Sequence, residues 1–379
     1  MHVAVIGAGV FGAWTAHHLQ AAGARVSIVD AYGPANPRAS SGDHSRILRC
    51  GYGPDAIYTR MAWRSLQQWR ELQRRLGANR AALWHRSGVL WLAPEGDSYV
   101  AATRTTLENE RLPVEALTPK DLRQRFPHLD VSDLPGALLE PECGVLMARR
   151  AVRALVSELE QAGARYVRGC VQPPSGQMHV VRFDDGRALE ADRFVFACGA
   201  WLPRVFPGLL AGRIRPTRQT VLYFGTLSGT DRFGPAHTPA WVDFSAGIYG
   251  VPDLEDRGLK VGIDEHGPSI DPDSDDRVAD AAAVSRARDW LAQRFPALAR
   301  APIVETRVCQ YENTSNGDFL IDRHPDHDNV WIVGGGSGHG FKHGPAVGEE
   351  AATLVLTGAE TQPRFSLATK DTHAERTVY

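Results

Sequence analysis

Residues 2–30 read HVAVIGAGVFGAWTAHHLQAAGARVSIVD, and this stretch decides the fold. The first five residues form an apolar run typical of a buried strand, and a glycine-rich turn, 7–12, follows it and opens a predicted helix that ends at Gly23. A second apolar run ends on Asp30. Strand, glycines, helix, strand and acid, in this order within about 30 residues, predict the βαβ unit that binds a dinucleotide.

The residue types in this unit each suit that task. Gly7 allows a sharp turn out of the strand, Gly9 has no side chain to hold off a pyrophosphate, and Gly12 lets the helix pack closely on the sheet. The helix N-terminus, at Val10 and Phe11, directs free N–H groups and a positive dipole end at the diphosphate.

Asp30 completes the unit at the end of the second strand. Its carboxylate is placed to accept a hydrogen bond from a ribose hydroxyl. An acid here favours FAD or NAD over NADP, because the extra phosphate of NADP prefers an arginine.

Length and composition limit the remaining possibilities. A chain of 379 residues has room for about two domains. It contains 43% hydrophobic and 23% charged residues, as an ordinary globular protein does, and its net charge of −2 gives no electrostatic reason to expect nucleic acid or an anionic membrane as a partner. No apolar run reaches the roughly 18 residues of a membrane span, and the first strand begins at residue 2, so we expect a cytoplasmic protein without a signal peptide.

Cysteine and histidine usage gives no metal or disulfide signal. The five cysteines are scattered and form no CxxC pair, which argues against a disulfide framework or a zinc site. The segment 324–328, His-Pro-Asp-His-Asp, contains a proline turn with no further ligand nearby, so we expect a surface loop there and no metal.

The order of patterns along the chain predicts two interleaved domains. Strand–helix patterns occur at both ends and in the middle, whereas short alternating strands from Arg215 to Gly262 are typical of an antiparallel sheet, and the acidic stretch 264–276 reads as a solvated connection. The predicted fold class is α/β: a Rossmann-like FAD-binding domain with an inserted α+β substrate domain built on an antiparallel sheet. We assign 1–80, 145–214 and 305–379 to the FAD-binding domain, and 81–144 and 215–304 to the substrate-binding domain.

A second glycine-rich turn, 334–340, follows the predicted strand 329–333 and opens a helix that ends at Gly358. A helix N-terminus here is free to face the other end of the cofactor, where a reduced flavin carries negative charge at its N1/O2 edge. The alternative is a flexible loop that only permits tight packing.

Five motifs in order resemble the sarcosine oxidase group, the monomeric FAD amine oxidases within the D-amino-acid-oxidase-like superfamily. The resemblance covers nearly the whole chain, and three motifs lie outside the generic nucleotide fold. The motifs are the glycine fingerprint 7–12 with Asp30, the loop 41–49, and the segments 258–262, 308–311 and 338–342.

The resemblance implies a covalent flavin. A cysteine in the setting of Cys309 forms a thioether to the flavin 8α carbon in such enzymes, and a thiolate is the natural soft nucleophile for that carbon. The alternative is a buried free cysteine.

The resemblance also implies a carboxylate clamp. Arg49 and Lys342 occupy the positions at which an arginine and a lysine hold the substrate carboxylate, the first as a planar fork and the second as a point charge. The alternative is a pair of solvated cations.

Catalytic roles are implied for three residues. Lys260 lies in an otherwise apolar strand and is expected near flavin N5, bridged by water, where its charge assists oxygen activation; the alternative is a solvent-facing position. Arg46 is expected over the flavin ring and His339 beside it. Tyr249 and Tyr311 are expected on the wall of the substrate cavity, although a tyrosine in a strand is often simply core.

The same resemblance implies further cofactor contacts from Arg46, His339 and Lys342 and from a set of mostly small residues. These are Ser41, Ser45, Val171, Gly199, Trp201, Gly336, Gly338 and Gly340.

Two departures from the group's pattern border the expected active site. The loop often read as Gly-Asp-Thr-Arg is one residue longer here, at 42–46, and Asp264 stands where sarcosine oxidases carry a histidine close to the flavin. Both weaken the case for sarcosine itself as the substrate.

The expected function is FAD-dependent oxidation of the C–N bond of a secondary or cyclic amino acid to an imine, with oxygen reduced to hydrogen peroxide by a monomeric enzyme. Two alternatives remain open: a flavin amine dehydrogenase that passes electrons to another acceptor, and a non-catalytic FAD-binding partner protein.

Overall fold

The computed structural model of the chain describes residues 1–77, 81–174 and 178–372. Its helices are α1 (Val10–Ala21), α2 (Ala56–Leu76), α3 (Ser98–Asn109), α4 (Pro119–Arg125), α5 (Ala148–Gln161), α6 (Leu202–Val205), α7 (Pro207–Leu210), α8 (Ala281–Arg294) and α9 (Gly344–Thr357). Its strands are β1 (His2–Ile6), β2 (Arg25–Asp30), β3 (Arg46–Leu48), β4 (Trp84–His85), β5 (Val89–Leu92), β6 (Glu115–Leu117), β7 (Ala137–Glu140), β8 (Gly144–Leu146), β9 (Arg165–Arg168), β10 (Val180–Arg182), β11 (Ala188–Glu190), β12 (Arg193–Phe196), β13 (Ile214–Phe224), β14 (Ala240–Asp243), β15 (Ile248–Val251), β16 (Leu259–Ile263), β17 (Ile303–Thr314), β18 (Leu320–Arg323) and β19 (Val330–Gly334).

The nucleotide-type domain is built on a sheet in the order β18-β19-β12-β1-β2-β9. All neighbours pair in parallel except β18, which runs antiparallel to β19. Helix α1 packs against α5 and α9. The predicted βαβ unit is therefore confirmed; of the strands distant in sequence, β12 lies beside β1 and β19 lies beside β12.

Two glycines of the fingerprint are required by the protein itself. A Cβ on Gly12 would lie 1.9 Å from the carbonyl oxygen of Gly7, and a Cβ on Gly7, whose φ is +111°, would lie 2.2 Å from that of Ala197. The first contact brings α1 close to the turn, and the second brings the turn close to the end of β12.

The second large sheet has the order β17-β13-β16-β15-β14-β5-β7-β6 and is antiparallel except between β5 and β14. It confirms the predicted antiparallel insertion. Strand β13 begins at Ile214, whereas the sequence pattern indicates a strand only over 220–224. The first half of the strand lacks an apolar pattern because polar residues predominate in 215–219. Strand β13 pairs with β17 from Ile214 opposite Thr314 to Phe224 opposite Ile303.

Several helix ends are fixed by hydrogen bonds within the local sequence. Asp55 caps α2 through a hydrogen bond from Tyr58 N, and Thr118 and Asp121 form a capping box at α4. Gly358, in the left-handed conformation with φ 71°, ends α9.

The predicted domain division stays a prediction. Its boundary between 304 and 305 falls inside β17, and its residues 78–80, 175–177 and 373–379 lie outside the described residues. The cytoplasmic location also stays a prediction; none of the helices in the described ranges has the length and apolar character needed to cross a bilayer.

Candidate cofactor and substrate site

A long cavity of about 340 Å³ opens at the carboxyl edge of the six-stranded sheet. Ligands of open parallel sheets bind at this edge. The cavity brings together most of the predicted cofactor residues: Gly7, Gly9, Val10, Phe11, Asp30, Ser41, Arg46, Val171, Gly199, Trp201, Gly336, Gly338 and Gly340 line it, together with Tyr311.

At one end of this cavity, the carboxylate of Asp30 is fixed by backbone donors. Oδ2 accepts a hydrogen bond from Ala8 N at 2.8 Å, and Oδ1 accepts from Tyr32 N at 2.9 Å and Gly33 N at 2.8 Å. Burial raises the pKa of this carboxyl, and the three N–H groups oppose that rise. Since Oδ2 accepts only one bond from the protein, it has capacity left for a ribose hydroxyl.

The N-terminus of α1 has the open backbone that a bound diphosphate requires. A Cβ on Gly9 would meet only Ser41 Oγ, at 3.5 Å, so protein packing does not explain the glycine there. The missing side chain instead keeps the helix N-terminus open to the cavity, where N–H groups of the first turn lack helical acceptors. Val10 N donates to Ser41 Oγ at 3.1 Å, which ties the loop 39–46 to this end.

The acidic stretch 264–276 also reaches this end of the cavity. Oδ1 of Asp273 accepts hydrogen bonds from Tyr32 Oη at 2.7 Å and from Trp201 Nε1 at 2.9 Å, and Oδ2 pairs with Arg204. The prediction of a purely solvated connection is therefore wrong for Asp273. The sequence could not show this contact, because its partners are 241 and 72 residues away.

A smaller cavity of about 70 Å³ adjoins the first and shares Arg46, Tyr311, Gly338 and Phe341 with it. It contains the predicted substrate-binding residues and the residue that departs from the group's pattern. These further lining residues are Arg49, Lys342, Tyr249, His339 and Asp264.

Arg49 and Lys342 are each 5% exposed, so the alternative of two solvated cations is wrong. The guanidinium of Arg49 donates to the Gly51 carbonyl and lies 4.5 Å from the Tyr52 ring centroid. Nζ of Lys342 donates to the His339 carbonyl at 3.0 Å. Burial, followed by the charge of Arg49, holds the pKa of Lys342 well below its usual range.

The carboxylate of Glu140 holds the backbone that directly follows Arg49. Its Oε2 accepts from Cys50 N at 2.6 Å, and its Oε1 accepts from Gly51 N at 3.2 Å and from Trp91 Nε1 at 2.8 Å. Cys143 completes a buried Cys50–Glu140–Cys143 group whose ligand atoms lie within 4.8 Å of one another, a spacing compatible with a metal. Since the carboxylate already accepts these three hydrogen bonds, we assign it to fixing the backbone that follows Arg49, a role for which the sequence carries no signal.

Lys260 is 1% exposed, so the alternative of a solvent-facing lysine is also wrong. Its Nζ lies 2.6 Å from Asp43 Oδ2 and donates to the Ser45 carbonyl at 2.8 Å. Burial and the charge on Arg46 lower the pKa of this lysine, against the opposing effect of Asp43.

Asp43 is the functional residue that the sequence missed most clearly. Its carboxylate, 2% exposed, meets the cations of Lys260 at 2.6 Å, Arg46 at 2.6 Å and Arg307 at 3.3 Å, and accepts from Tyr223 Oη at 3.0 Å. Burial opposes its ionisation, but Lys260 and Arg46 hold its pKa well below the usual range. The residue lies in the lengthened loop 42–46, and the extra residue in this loop is the only sequence signal that points to it.

Four predicted site residues are not among those that line either cavity: Lys260, described above, and Cys309, Ser45 and Gly12. Sγ of Cys309 is 3.8 Å from Arg46 Nη2; burial and the charge of Asp43 raise the pKa of the thiol, against the smaller opposing effects of Arg46 and Lys260. Ser45 contributes its carbonyl to Lys260 and, at 2.9 Å, to Arg46. Gly12 packs against the turn.

His339 lines the smaller cavity, but its ring is held by the protein. Nδ1 lies 3.1 Å from Tyr52 Oη, Nε2 lies 3.0 Å from the Gly317 carbonyl, and the ring stacks on Phe319 with centroids 4.8 Å apart. A catalytic role for His339 stays a prediction, and this geometry favours a structural contribution to the cavity wall.

Comparison with known proteins agrees with this geometry. The profile of the family described as FAD dependent oxidoreductase matches residues 2–354. Monomeric sarcosine oxidase of Bacillus sp. (strain B-0618) is 31% identical over 94% of this chain and 92% of its own length. N-methyl-L-tryptophan oxidase of Salmonella arizonae is 29% identical over 96% of both chains.

Among solved structures, L-proline dehydrogenase from P. horikoshii superposes with a TM-score of 0.81, at 21% identity over 97% of this chain and 96% of its own. This likeness concerns the fold. Together with the sequence matches, it confirms the resemblance seen in the motifs.

Proposed function

Because the chain belongs to the family of FAD dependent oxidoreductases, we propose that it oxidises the C–N bond of a secondary or cyclic amino acid to an imine and reduces oxygen to hydrogen peroxide. Relatives at about 30% identity are named for sarcosine and N-methyl-L-tryptophan, which supports an amino-acid substrate with a secondary amine.

One observation carries the proposal: Arg49 and Lys342 are buried side by side in the smaller cavity, and neither forms an ion pair with a residue of the described part of the chain. Buried cations normally have anionic partners. A substrate carboxylate supplies that anion, with two-point contact to the guanidinium and one further bond from the ammonium.

The positive charge around the smaller cavity also favours the neutral form of the substrate amine. Arg46, Arg49 and Lys342 surround the small cavity, and only Asp264 among its lining residues is acidic. Positive charge nearby disfavours an ammonium ion, so these residues favour the neutral amine, whose lone pair assists loss of hydride. FAD, when bound in the long cavity, accepts that hydride equivalent.

Lys260 supplies the charge for the oxygen step. Its ammonium is held by Asp43 and by the Ser45 carbonyl, so it cannot swing away as charge develops on oxygen. The imine product hydrolyses in water after release. We assign attachment of the flavin to Cys309, whose Sγ lies 3.8 Å from Nη2 of Arg46; this cation partly offsets the burial that raises the pKa of the thiol.

The test combines substrate screening with two readouts. Purified protein is mixed anaerobically with N-methyl amino acids, pipecolate and proline while flavin absorbance is followed, and peroxide is then measured in air. Reduction by one of these compounds with stoichiometric peroxide supports the proposal. Fast reduction with slow reoxidation in air indicates a dehydrogenase instead, and no reduction by any of them refutes amine oxidation.

The covalent assignment has its own measurement. Acid precipitation followed by peptide mass mapping should find the flavin mass on the Cys309 peptide. Colour that stays in the supernatant, with an unmodified Cys309 peptide, contradicts the attachment while leaving the amine chemistry intact.

A further inference from the structure

Glu312 is a buried acid with too few partners. It is 8% exposed, and its carboxylate accepts one hydrogen bond, from Ser40 Oγ to Oε2 at 2.6 Å. By contrast, Asp30 accepts three donors, Glu140 accepts four, and Asp43 meets three cations. Within the described ranges, Glu312 forms no ion pair; burial raises its pKa, and Ser40, its own backbone N–H and the more distant charge of Arg46 only partly oppose that rise.

The free oxygen of this carboxylate faces the long cavity. Glu312 lines that cavity beside its strand neighbours Gln310 and Tyr311. Its Oε1 lies 3.2 Å from where a Cβ on Gly336 would be and 3.8 Å from the corresponding point on Gly199, and both glycines line the cavity. The absence of side chains at these two positions leaves Oε1 open to a ligand.

The position of Glu312 along the cavity identifies the part of the ligand that it meets. Ser41 lies at the N-terminus of α1, where the diphosphate binds, and Arg46 lies at the opposite, flavin-ring end. Ser40 connects the two regions: its carbonyl accepts from Arg46 Nη2 at 2.8 Å, while its hydroxyl donates to Glu312. In a flavin dinucleotide, the segment between diphosphate and ring is the ribityl chain.

We propose that Oε1 of Glu312 accepts a hydrogen bond from a ribityl hydroxyl of the bound FAD and fixes the polyol between the two ends of the cavity. A hydroxyl donor satisfies the buried oxygen, whereas a phosphate would repel it. Because the acceptor is a carboxylate, the bond is stronger than one between neutral groups.

The experiment measures FAD affinity in the full-length chain, in a Cys309→Ser background so that the flavin exchanges freely. Dissociation constants are obtained from flavin fluorescence for FAD and for its 2′-, 3′- and 4′-deoxyribityl analogues. The Glu312-containing protein should bind one analogue about 10- to 100-fold more weakly than FAD, as expected for loss of a hydrogen bond to a charged group. Glu312→Leu should bind FAD equally weakly and no longer distinguish that analogue.

Two further variants keep the result interpretable. Glu312→Gln retains the size of the side chain and an oxygen acceptor, so it should fold and show reduced discrimination. Asp328→Asn, which changes an exposed acid outside both cavities, should leave every dissociation constant within about twofold of its parent.

The proposal is overturned if Glu312→Leu weakens FAD and all three analogues by the same factor, which would mean that Glu312 only anchors the loop through Ser40. It is equally overturned if Glu312→Gln and Glu312→Leu discriminate as the parent does. Neither outcome depends on an amine substrate, so failure here is separate from failure of the proposed oxidation.

Discussion

Replacing Asp43 by Asn should destabilise the protein more than any surface substitution, because this carboxylate is the anion shared by Lys260, Arg46 and Arg307. The three cations are 1%, 17% and 19% exposed at their side chains. Asparagine keeps the shape and one acceptor oxygen but leaves these charges without an anion.

The expected cost follows from the burial. Removing one partner of a buried ion pair costs about 3–5 kcal/mol. The amide oxygen can still accept from Lys260, and two of the cations reach partial solvent, so we expect a value near the lower limit, about 3 kcal/mol. That is a large share of a total stability of about 5–15 kcal/mol.

The direction of the Asp43 pKa shift determines how this destabilisation changes with pH. The pKa of Asp43 is lowered by folding, so its contribution is complete above the pKa of an unfolded aspartate, about 3.9, and is lost as pH falls toward the folded value. The difference between wild type and Asp43→Asn should therefore be constant from pH 7 to 5 and shrink below about pH 4.

Urea unfolding followed by tryptophan fluorescence at pH 7, 5 and 3 measures this difference. Asp185→Asn, which breaks an exposed pair with Arg187, is the matched control and should leave the unfolding midpoint unchanged. A loss below about 1 kcal/mol at pH 7, or a loss that persists undiminished at pH 3, would refute the reasoning that a shared buried anion holds these cations.

Three further predictions concern ligands. Arg49→Ala and Lys342→Ala should each weaken binding of a non-reactive carboxylate, measured by the flavin absorbance change, by about 10- to 100-fold without loss of FAD; unchanged binding would remove the main support for the proposed function. Asp264→Asn should shift the pH profile of flavin reduction to lower pH, since removing negative charge from the cavity lowers the pKa of the bound amine, and an upward shift would contradict this. Asp273→Ala should accelerate release of non-covalent FAD from the Cys309→Ser chain, because it frees Tyr32 and Trp201 at the nucleotide end; stopped-flow fluorescence would show an unaltered rate if Asp273 is only a surface acid.

The sequence predicted what depends on local pattern. The unit 2–30 is readable because its strand, glycine turn, helix and second strand follow one another within about 30 residues, and Gly358 marks the end of α9 through a bond to Leu354. Arg49, Lys342 and Lys260 could be assigned only by resemblance, since burial of a cation cannot be read from its type.

What the sequence missed depends on long-range contacts. Asp43 meets Lys260 across 217 residues, Glu140 holds Cys50 N across 90, and Ser40 meets Glu312 across 272. In each case an ordinary acid becomes important because the fold removes it from water and gives it particular neighbours. Such partners cannot be inferred from one sequence, whereas the glycine pattern beside them can.

The hydrogen-bond chain behind the smaller cavity explains how two buried cations are kept available for a ligand. His339 Nε2 donates to the Gly317 carbonyl; in the neutral form of this ring, Nδ1 accepts the proton of Tyr52 Oη, which in turn accepts from His343 Nε2 at 2.7 Å. His343 is then neutral with a bare Nδ1, and that atom has no hydrogen-bond partner in the described part of the chain. Burial and the charges of Lys342 and Arg49 hold its pKa well below the usual range. Tyr52 therefore presents its ring to both cations, 4.5 and 5.1 Å from its centroid, while the groups behind it carry no charge that could neutralise them.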